Sequence, residues 1–341
     1  MSAEASSGRG RRVLVTGTAG FIGFHLARLL LEEGFRVHGY DGMTDYYDVA
    51  LKRRRHAILL RHPGFSATEG TIVDRVRLDG MADAFAPEVI VHLAAQAGVR
   101  HSLEAPRAYL DANVLGTFHV LDAARRLKVA HLLIASTSSV YGANEAMPFA
   151  ETDKADTPLS VYAATKKAGE GMAHAYAHLW DLPTTLFRFF TVYGPWGRPD
   201  MALFRFVDAI LADRPIDLYN GGEMGRDFTY VGDLVRAIRL LIDVVPRRPA
   251  SPEAIGPGDS LSPAAPWRVV NIGNSDKVRL LDFVEAIEEA LGRKAVRRLL
   301  PMQKGDVPAT WADATLLHRL TGYRPQTEMR DGIAAFVEWF R

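Results

Sequence analysis

Short apolar runs rich in β-branched residues alternate with segments of helical periodicity through the first half of the chain. The run 13–15 predicts a buried strand, and segment 21–33 repeats apolar residues at the 3.6-residue spacing of an amphipathic helix. Because strands that alternate with helices form parallel sheets with right-handed crossovers, we expect an α/β fold with a doubly wound parallel sheet. The other predicted elements of this half are strands over 36–41, 89–93 and 131–135 and a helix over 109–126.

The rhythm changes at about position 193, where proline and glycine become more frequent and the elements become shorter. This change predicts a first domain over 12–192 and a smaller C-terminal region over 193–341, preceded by a disordered leader over 1–11. We expect two later segments, at about 226–240 and about 268–275, to contribute to the first domain.

Two polar stretches of the sequence are predicted to lie on the protein surface. Segment 246–266 is rich in Pro, Ser, Ala and Gly without periodicity, which predicts a surface loop before a strand over 268–272 and a helix over 280–291. The basic run Lys52-Arg53-Arg54-Arg55 is typical of the solvated face of a helix.

The composition excludes several classes of function. The chain has 341 residues and a formal net charge of +1, which gives no reason to expect nucleic acid or a membrane surface as partner. No apolar stretch approaches the roughly 20 residues that a membrane span needs. The sequence has no cysteine, which excludes disulfides and cysteine-ligated zinc and fits a reducing cytoplasm. We therefore expect a cytoplasmic protein with a small-molecule partner and without a metal site.

Three glycines lie between the first predicted strand and the first predicted helix, in the run Thr16-Gly17-Thr18-Ala19-Gly20-Phe21-Ile22-Gly23. In that context glycines allow a tight turn and close approach of the backbone to a pyrophosphate at the helix N-terminus. Asp41 ends the next strand, where a carboxylate accepts hydrogen bonds from ribose hydroxyls and repels a 2′-phosphate. The sequence therefore predicts a Rossmann-type domain that binds NAD rather than NADP.

Tyr162 and Lys166 are four residues apart and share one face of a predicted helix. A free tyrosine has a pKa of about 10 and is a poor base at neutral pH. A nearby ammonium group, together with a positively charged nicotinamide ring, favours the phenolate and lowers that pKa. The hydroxyl-rich segment 136–142 follows a predicted strand, which places its hydroxyls in the crevice where such sheets bind ligands. This arrangement predicts Tyr162 as a catalytic base.

The glycine spacing resembles that of the extended short-chain dehydrogenase/reductase superfamily. From about residue 12 onward the chain further resembles UDP-glucuronate 4-epimerases, which implies reversible C4 epimerisation of UDP-glucuronate to UDP-galacturonate. The resemblance implies a bound NAD, a transient 4-keto sugar, a role in polysaccharide synthesis and a homodimer. The stretches that carry it are 91–100, 136–142, 159–167, 188–201, 225–230 and 300–307.

The resemblance also implies roles for individual residues. Arg226 matches a diphosphate-binding arginine, and Thr191 and Arg198 match residues that grip the substrate carboxylate. The implied catalytic residues are Tyr162, Lys166 and Thr137. The implied cofactor contacts are Gly17, Gly20, Phe21, Ile22, Gly23, Asp41, Asp74, Leu93, Ala94, Ala95, Asn113, Tyr162 and Lys166. The implied substrate contacts are Arg100, Ser138, Ser139, Thr191, Arg198, Tyr219, Arg226 and Asp306.

Four other functions remain open at this point. A 4,6-dehydratase would carry Asp-Glu where this chain has Ser138 and Ser139, and a UDP-glucuronate decarboxylase typically has Glu in place of Ser139. Thr191 stands where relatives that act on neutral hexoses commonly have Asn, which favours glucuronate over the runner-up, UDP-glucose 4-epimerase. A non-catalytic NAD sensor would commonly lack Tyr162 or Lys166. One departure from the pattern is Thr71, where relatives usually have an Asp that contacts adenine.

Overall fold

The structure, a computed structural model, describes residues 8–302 and 307–341. Most of the predicted leader over 1–11 therefore lies outside the described residues, and so does Asp306. The strands are β1 (Arg12–Thr16), β2 (Arg36–Asp41), β3 (Phe65–Glu69), β4 (Val89–His92), β5 (His131–Thr137), β6 (Thr184–Phe189), β7 (Thr191–Tyr193), β8 (Ile216–Tyr219), β9 (Gly225–Arg226), β10 (Phe228–Tyr230), β11 (Trp267–Ile272), β12 (Val278–Arg279), β13 (Arg297–Leu300) and β14 (Ala309–Thr310).

The structure has the following helices among the described residues, and two of them, over 21–32 and 280–291, lie within one residue of the predicted bounds. They are α1 (Phe21–Glu32), α2 (Val49–Leu60), α3 (Arg75–Phe85), α4 (His101–Glu104), α5 (Pro106–Tyr109), α6 (Gly116–Leu127), α7 (Val161–Trp180), α8 (Ala202–Leu211), α9 (Val231–Leu241), α10 (Leu280–Leu291), α11 (Thr315–Thr321) and α12 (Met329–Phe340). The single helix predicted over 109–126 is instead divided, because Leu110–Leu115 forms a π-helix between α5 and α6. No helix in the described part of the chain is both long enough and apolar enough to cross a membrane.

Seven strands form one parallel sheet in the order β3-β2-β1-β4-β5-β6-β11. The expected doubly wound parallel sheet is confirmed. The sequence analysis missed β3 and β6, since Phe65–Glu69 is largely polar and Thr184–Phe189 carries an arginine. Tertiary pairing gives these segments their strand conformation, because β3 pairs with β2 at the edge of the sheet and β6 lies between β5 and β11.

Helices cover both faces of the sheet. One apolar core contains side chains of α1 and α9 with β1, β4 and β11, and a second contains side chains of α3, α6 and α7. A third core joins α8, α10 and α12 to β8 and β10. The carboxyl ends of the parallel strands lie at one edge of the sheet, which is where ligands bind in open α/β sheets.

The prediction that the basic run 52–55 is a solvated helix face is wrong at its two ends. Lys52 is 6% exposed and Arg55 is 0% exposed, while Arg53 and Arg54 between them are exposed. Residues three apart in a helix lie on one face, so Lys52 and Arg55 together turn toward the interior of the protein.

His131 is a buried histidine whose neutral form the structure fixes. Its Nδ1–H donates to the carbonyl of Ile242 (3.2 Å), so its Nε2 accepts from the hydroxyl of Thr185 (2.9 Å). Burial lowers the pKa of His131 from 6.5 to about 4. The unfolded chain therefore binds a proton at this ring below pH 6.5, whereas the folded chain binds it only near pH 4. Stability from this group is present above pH 6.5 and is lost as the pH falls toward 4.

We expect His131→Gln to reduce the loss of stability between pH 7 and pH 5.5. The expected change in slope is about 1.4 kcal/mol per pH unit below the unfolded pKa, because one proton is no longer taken up on unfolding. Urea denaturation across this pH range measures the slope. The exposed His178 supplies the control His178→Gln, and an equal change of slope in both variants would refute the assignment.

Candidate functional site

A single large cavity of about 1270 Å³ opens at the carboxyl edge of the parallel sheet. Its walls come from the loops that follow β1, β2, β4 and β5, from α7, and from the 307–310 segment of the C-terminal region. Pockets for one drug-sized ligand measure roughly 300–1,000 Å³. This cavity is therefore large enough for two ligands, one along the sheet edge and one toward the C-terminal region.

The glycine-rich loop forms the floor of the cavity between β1 and α1. Gly17 has a φ of +82°, and a Cβ at Gly23 would lie 2.1 Å from the carbonyl oxygen of Gly17. Gly20 is the N-cap of α1 and offers no side-chain hydrogen bond. The backbone N–H groups at the start of α1 therefore face the cavity, together with the positive end of the helix dipole. This loop provides a binding site for a pyrophosphate.

Asp41 holds the same loop from the end of β2. Its carboxylate accepts hydrogen bonds from the backbone N–H groups of Ala19 and Met43, both at 2.9 Å. A carboxylate has about four acceptor positions, so Asp41 can also accept bonds from the hydroxyls of a ribose. The Asp41 side chain lines the cavity, as the sequence analysis expects.

A buried histidine fixes the loop that follows β4. The Thr16 hydroxyl accepts from the N–H groups of Leu93 and Ala94, both at 3.1 Å, and therefore donates to Nδ1 of His92 (2.8 Å). Nε2–H of His92 then donates to Thr117 on α6 (3.1 Å). Burial lowers the pKa of His92 to about 3, so the ring is neutral at physiological pH. The sequence analysis missed this residue.

Asn113 supports the site from outside the cavity. Its side-chain oxygen accepts from the N–H of Gln96 (2.8 Å), and its amide donates to the Gln96 carbonyl (3.0 Å) and the Thr165 hydroxyl (3.1 Å). These bonds join the loop after β4 to α7. The π-helix places Asn113 here, since it is the buried residue of that segment.

Tyr162 and Lys166 lie on the face of α7 that lines the cavity. Ser160 starts this helix, because its hydroxyl accepts from the N–H of Ala163 (3.1 Å). The ring of Tyr162 packs edge-on against Tyr109, with ring centroids 6.1 Å apart. The Tyr109 hydroxyl in turn donates to the carbonyls of Ala97 and Gly98, so Tyr109 connects α7 to the cavity wall.

The electrostatics of the pair differ from the expectation. Burial raises the pKa of Tyr162, and a hydrogen bond with Thr137 and the positive charge of Arg198 oppose that rise. Burial lowers the pKa of Lys166 to about 8, while the negative charge of Glu170 raises it. Arg198, which the sequence analysis assigns to the substrate carboxylate, is therefore a further cation that favours the Tyr162 phenolate.

A buried ion pair lies directly behind Lys166. Glu170 accepts from Nε and Nη2 of Arg188 at 3.0 and 2.8 Å and from the hydroxyl of Ser136 at 2.7 Å. Glu170 and Arg188 are both almost fully buried. Arg188 lies on β6 and Ser136 on β5, so the pair fixes α7 to the two strands whose ends bear the hydroxyls of the site.

Arg198 approaches the cavity from the loop after β7. Its guanidinium forms a two-point ion pair with Asp200, with Nε at 3.0 Å and Nη2 at 2.5 Å, and stacks over Tyr46. The Tyr46 hydroxyl donates to the same carboxylate at 3.2 Å. Thr191 also lines the cavity, as do Thr137, Ser138 and Ser139.

The remaining predicted residues fall into two groups. Arg226 lines the cavity, and its guanidinium donates to the carbonyls of Gly225, Val307 and Pro308. Of the predicted residues that the structure describes, four do not line it: Asp74, Arg100, Asn113 and Tyr219.

All four have other contacts, of which those of Asn113 are given above, and Asp306 is not among the described residues. Arg100 lies over the ring of Tyr219, 4.7 Å from its centroid. Asp74 is exposed and caps α3 by accepting from the N–H of Arg77 (3.1 Å). Ile72 and Val73 line the cavity in its place, together with Thr71.

The comparisons with known proteins agree along the whole chain. Residues 13–253 match the model of the NAD dependent epimerase/dehydratase family. A probable UDP-glucuronate 4-epimerase of Rhizobium meliloti (strain 1021) is 57% identical over 329 residues, covering 96% of each chain. UDP-glucuronate 4-epimerase 1 of Arabidopsis thaliana is 41% identical, covering 99% of this chain and 79% of that protein. The Bacillus cereus UDP-glucuronic acid 4-epimerase, solved with UDP-glucuronic acid and NAD, has a TM-score of 0.85 at 30% identity and covers 96% of this chain and 98% of its own.

We expect Gly23→Ala to destabilise the protein by about 1–3 kcal/mol, because the added methyl group overlaps the carbonyl oxygen of Gly17. The exposed Gly80 in α3 has open space around its Cβ position, so Gly80→Ala should instead stabilise by about 0.5–1 kcal/mol. Urea denaturation of both variants measures the difference. Equal stability of the two variants would show that close packing at Gly23 is unimportant.

Proposed function

The chain belongs to the NAD dependent epimerase/dehydratase family, and from this premise we propose that it interconverts UDP-glucuronate and UDP-galacturonate by inverting C4 of the sugar. The observation that carries the proposal is the convergence of three groups in one cavity. The phenol of Tyr162 forms a hydrogen bond with the hydroxyl of Thr137 and lies in the electrostatic field of the Arg198 guanidinium. A guanidinium suits the binding of a substrate carboxylate.

The residues of the cavity fit NAD. A side chain at Gly17 or Gly23 would fill the space between the loop and its neighbours, and the start of α1 is without a side-chain cap. Asp41 keeps acceptor positions for ribose hydroxyls and opposes a 2′-phosphate by charge repulsion. When bound, NAD accepts the hydride of C4 and later returns it.

Tyr162 is the proposed base and acid of the reaction. Its phenolate takes the proton of the C4 hydroxyl as the hydride leaves, and the phenol returns that proton at the end. Thr137 donates a hydrogen bond to the oxygen of the same C4 hydroxyl and so orients it. Lys166, with a pKa of about 8, remains largely protonated at neutral pH and adds a positive charge behind the site.

Inversion requires the ring of the 4-keto sugar to rotate, so that its opposite face meets the hydride, while the nucleotide stays bound. We assign the diphosphate to Arg226, whose guanidinium is held at the C-terminal wall of the cavity by the carbonyls of Val307 and Pro308. An arginine suits this task because its planar fork matches phosphate oxygens. The uridine then lies toward the C-terminal region and the sugar toward Tyr162.

The substrate carboxylate needs separate control. A 4-keto glucuronate is a β-keto acid, which loses carbon dioxide most readily when the breaking bond is perpendicular to the carbonyl plane. We assign the carboxylate to Arg198 and Thr191, which hold it away from that orientation. Asp200 occupies only two of the five N–H donors of Arg198, so the guanidinium can bind a second carboxylate.

The serines at the end of β5 argue against the related reactions. Ser138 and Ser139 line the cavity where a dehydratase or a decarboxylase would need carboxylates. Neither serine can act as the acid or base of an elimination at neutral pH. Epimerisation needs only the groups that Tyr162 and Thr137 supply.

Other parts of the proposal rest on the resemblance. We assign NAD to the domain over 12–192, with segments 226–240 and 268–275, and the nucleotide sugar mainly to 193–341. We also propose that the enzyme acts in the cytoplasm and that its product is used in polysaccharide assembly.

We further propose that the protein is a homodimer. Large apolar side chains are exposed on the π-helix before α6 and at the end of α7, and these two helices lie side by side. Leu110 is 50% exposed and Leu179 is 64% exposed. A second copy of the chain would bury these side chains in a bundle of four helices.

Purified protein incubated with UDP-glucuronate should produce UDP-galacturonate, with UDP-pentose as a minor product, as measured by chromatography and NMR. Tyr162→Phe should lower this rate about 100- to 10,000-fold, because the proton of C4–OH loses its acceptor. Tyr176 lies on the same helix, and Tyr176→Phe is the matched control with expected wild-type rate. UDP-pentose as the main product, exclusive turnover of UDP-glucose, or full activity of Tyr162→Phe would contradict the proposal.

Light scattering should give a mass of twice 37.6 kDa for the wild-type protein. Leu179→Lys should shift the mass toward that of the monomer, because a charge would be buried in the interface. Val296 is similarly exposed (61%) but lies near β13, so Val296→Lys should remain dimeric. A monomeric wild-type protein would overturn the proposal.

A further inference from the structure

Arg55 has a fully buried side chain on α2, outside the residues that line the cavity. Its guanidinium donates four hydrogen bonds. Nη1 donates to the carbonyl of Ala19 (2.9 Å) and to the hydroxyl of Tyr47 (2.8 Å). Nη2 donates to the carbonyls of Trp196 (2.6 Å) and Gly197 (3.2 Å).

The three carbonyl acceptors belong to the two loops that form the two halves of the site. Ala19 lies in the glycine-rich loop, where its own N–H donates to Asp41 (2.9 Å). Trp196 and Gly197 immediately precede Arg198. One guanidinium thus joins the loop assigned to the cofactor with the loop assigned to the substrate carboxylate.

The loop before Arg198 depends on this support. Trp196 has a φ of +59°, a conformation that L side chains rarely adopt, so surrounding contacts must hold it. Its indole ring packs against Phe24 of α1 and Trp339 of α12, at 5.5 and 5.2 Å between ring centroids. The carbonyls of Trp196 and Gly197 accept hydrogen bonds from Arg55.

We propose that Arg55 is a positioning residue that sets the place of Arg198 relative to the cofactor, and thereby the angle at which the substrate carboxylate is held. This inference rests on the proposed function. A planar guanidinium suits this role because its donors have fixed directions and reach two loops at once. An ammonium group at the same position has one nitrogen and cannot reproduce this geometry.

Loss of the support from Arg55 should change how the protein holds the carboxylate of the substrate and not how it binds the nucleotide. When the Arg198 loop shifts, the carboxylate of the 4-keto sugar can rotate toward the perpendicular orientation, and carbon dioxide is lost. A misplacement of about 1 Å in a catalytic site can cost roughly 100-fold in rate. Binding of UDP itself should change little, because Arg226 is held by the carbonyls of Val307 and Pro308 in the C-terminal region.

The test compares Arg55→Met and Arg55→Lys with Arg54→Met, a control that removes the exposed neighbouring arginine. Two quantities are measured on each NAD-loaded protein: the ratio of UDP-pentose to UDP-galacturonate formed, and the ratio of the Kd of UDP-glucose to that of UDP-glucuronate. We expect Arg55→Met to raise the ratio of UDP-pentose to UDP-galacturonate roughly tenfold or more. It should lower the ratio of the Kd of UDP-glucose to that of UDP-glucuronate by a similar factor, because only UDP-glucuronate carries the carboxylate. Arg55→Lys should show both effects at smaller size, and Arg54→Met neither.

A purely structural role for Arg55 would weaken both ligands equally, so unchanged ratios in Arg55→Met and Arg55→Lys overturn the inference. Equal effects in Arg54→Met overturn it as well. Should Arg55→Met fail to fold, as judged by circular dichroism, Arg55→Lys decides by the same two ratios. A wild-type protein that forms no UDP-galacturonate refutes the proposed function instead, while the ratio of the two affinities still tests Arg55.

Discussion

The burial of ionisable and hydroxyl groups at the carboxyl edge of the sheet is the constraint on which the rest of the site depends. A polar group removed from water is costly unless it is hydrogen-bonded, and a charge is costly unless it is also paired. Several buried groups here therefore form hydrogen bonds to a different loop or strand. Thr16 reaches the loop after β4 and, through His92, the helix α6. The need to satisfy these groups fixes the loops in the positions that shape the cavity.

The same constraint links stability to catalysis at α7. Glu170 and Arg188 form an ion pair with almost no exposure, and loss of one partner of such a pair typically costs about 3–5 kcal/mol. The carboxylate also raises the pKa of Lys166 against the effect of burial. A charge placed to hold two strands and a helix together thereby keeps the lysine of the site positively charged.

The site needs rigid walls and a mobile ligand at the same time. The sugar has to present both of its faces at one position, so the protein can fix only the two ends of the substrate. Arg226 and Arg198 both line the cavity, are held by different segments, and suit the diphosphate and the carboxylate, respectively. Arg55, which is buried behind the cavity, joins the loop before Arg198 to the glycine-rich loop.

The sequence by itself determined the fold class, and most of the site residues predicted from it line the cavity. Apolar periodicity predicts the strands and helices, because each buries a continuous face, and the glycine and Tyr-Lys patterns report local backbone and helix geometry. Only the tertiary structure decided which polar residues are buried. Arg55 belongs to a basic run that is typical of a solvated helix face, Asp74 caps a helix outside the cavity, and Arg198 adds a cation that favours the Tyr162 phenolate. These outcomes depend on acceptors and charges that distant segments of the chain supply. Trp196, for example, supplies a carbonyl acceptor to Arg55. The local spacing of residues in the sequence does not show such contacts.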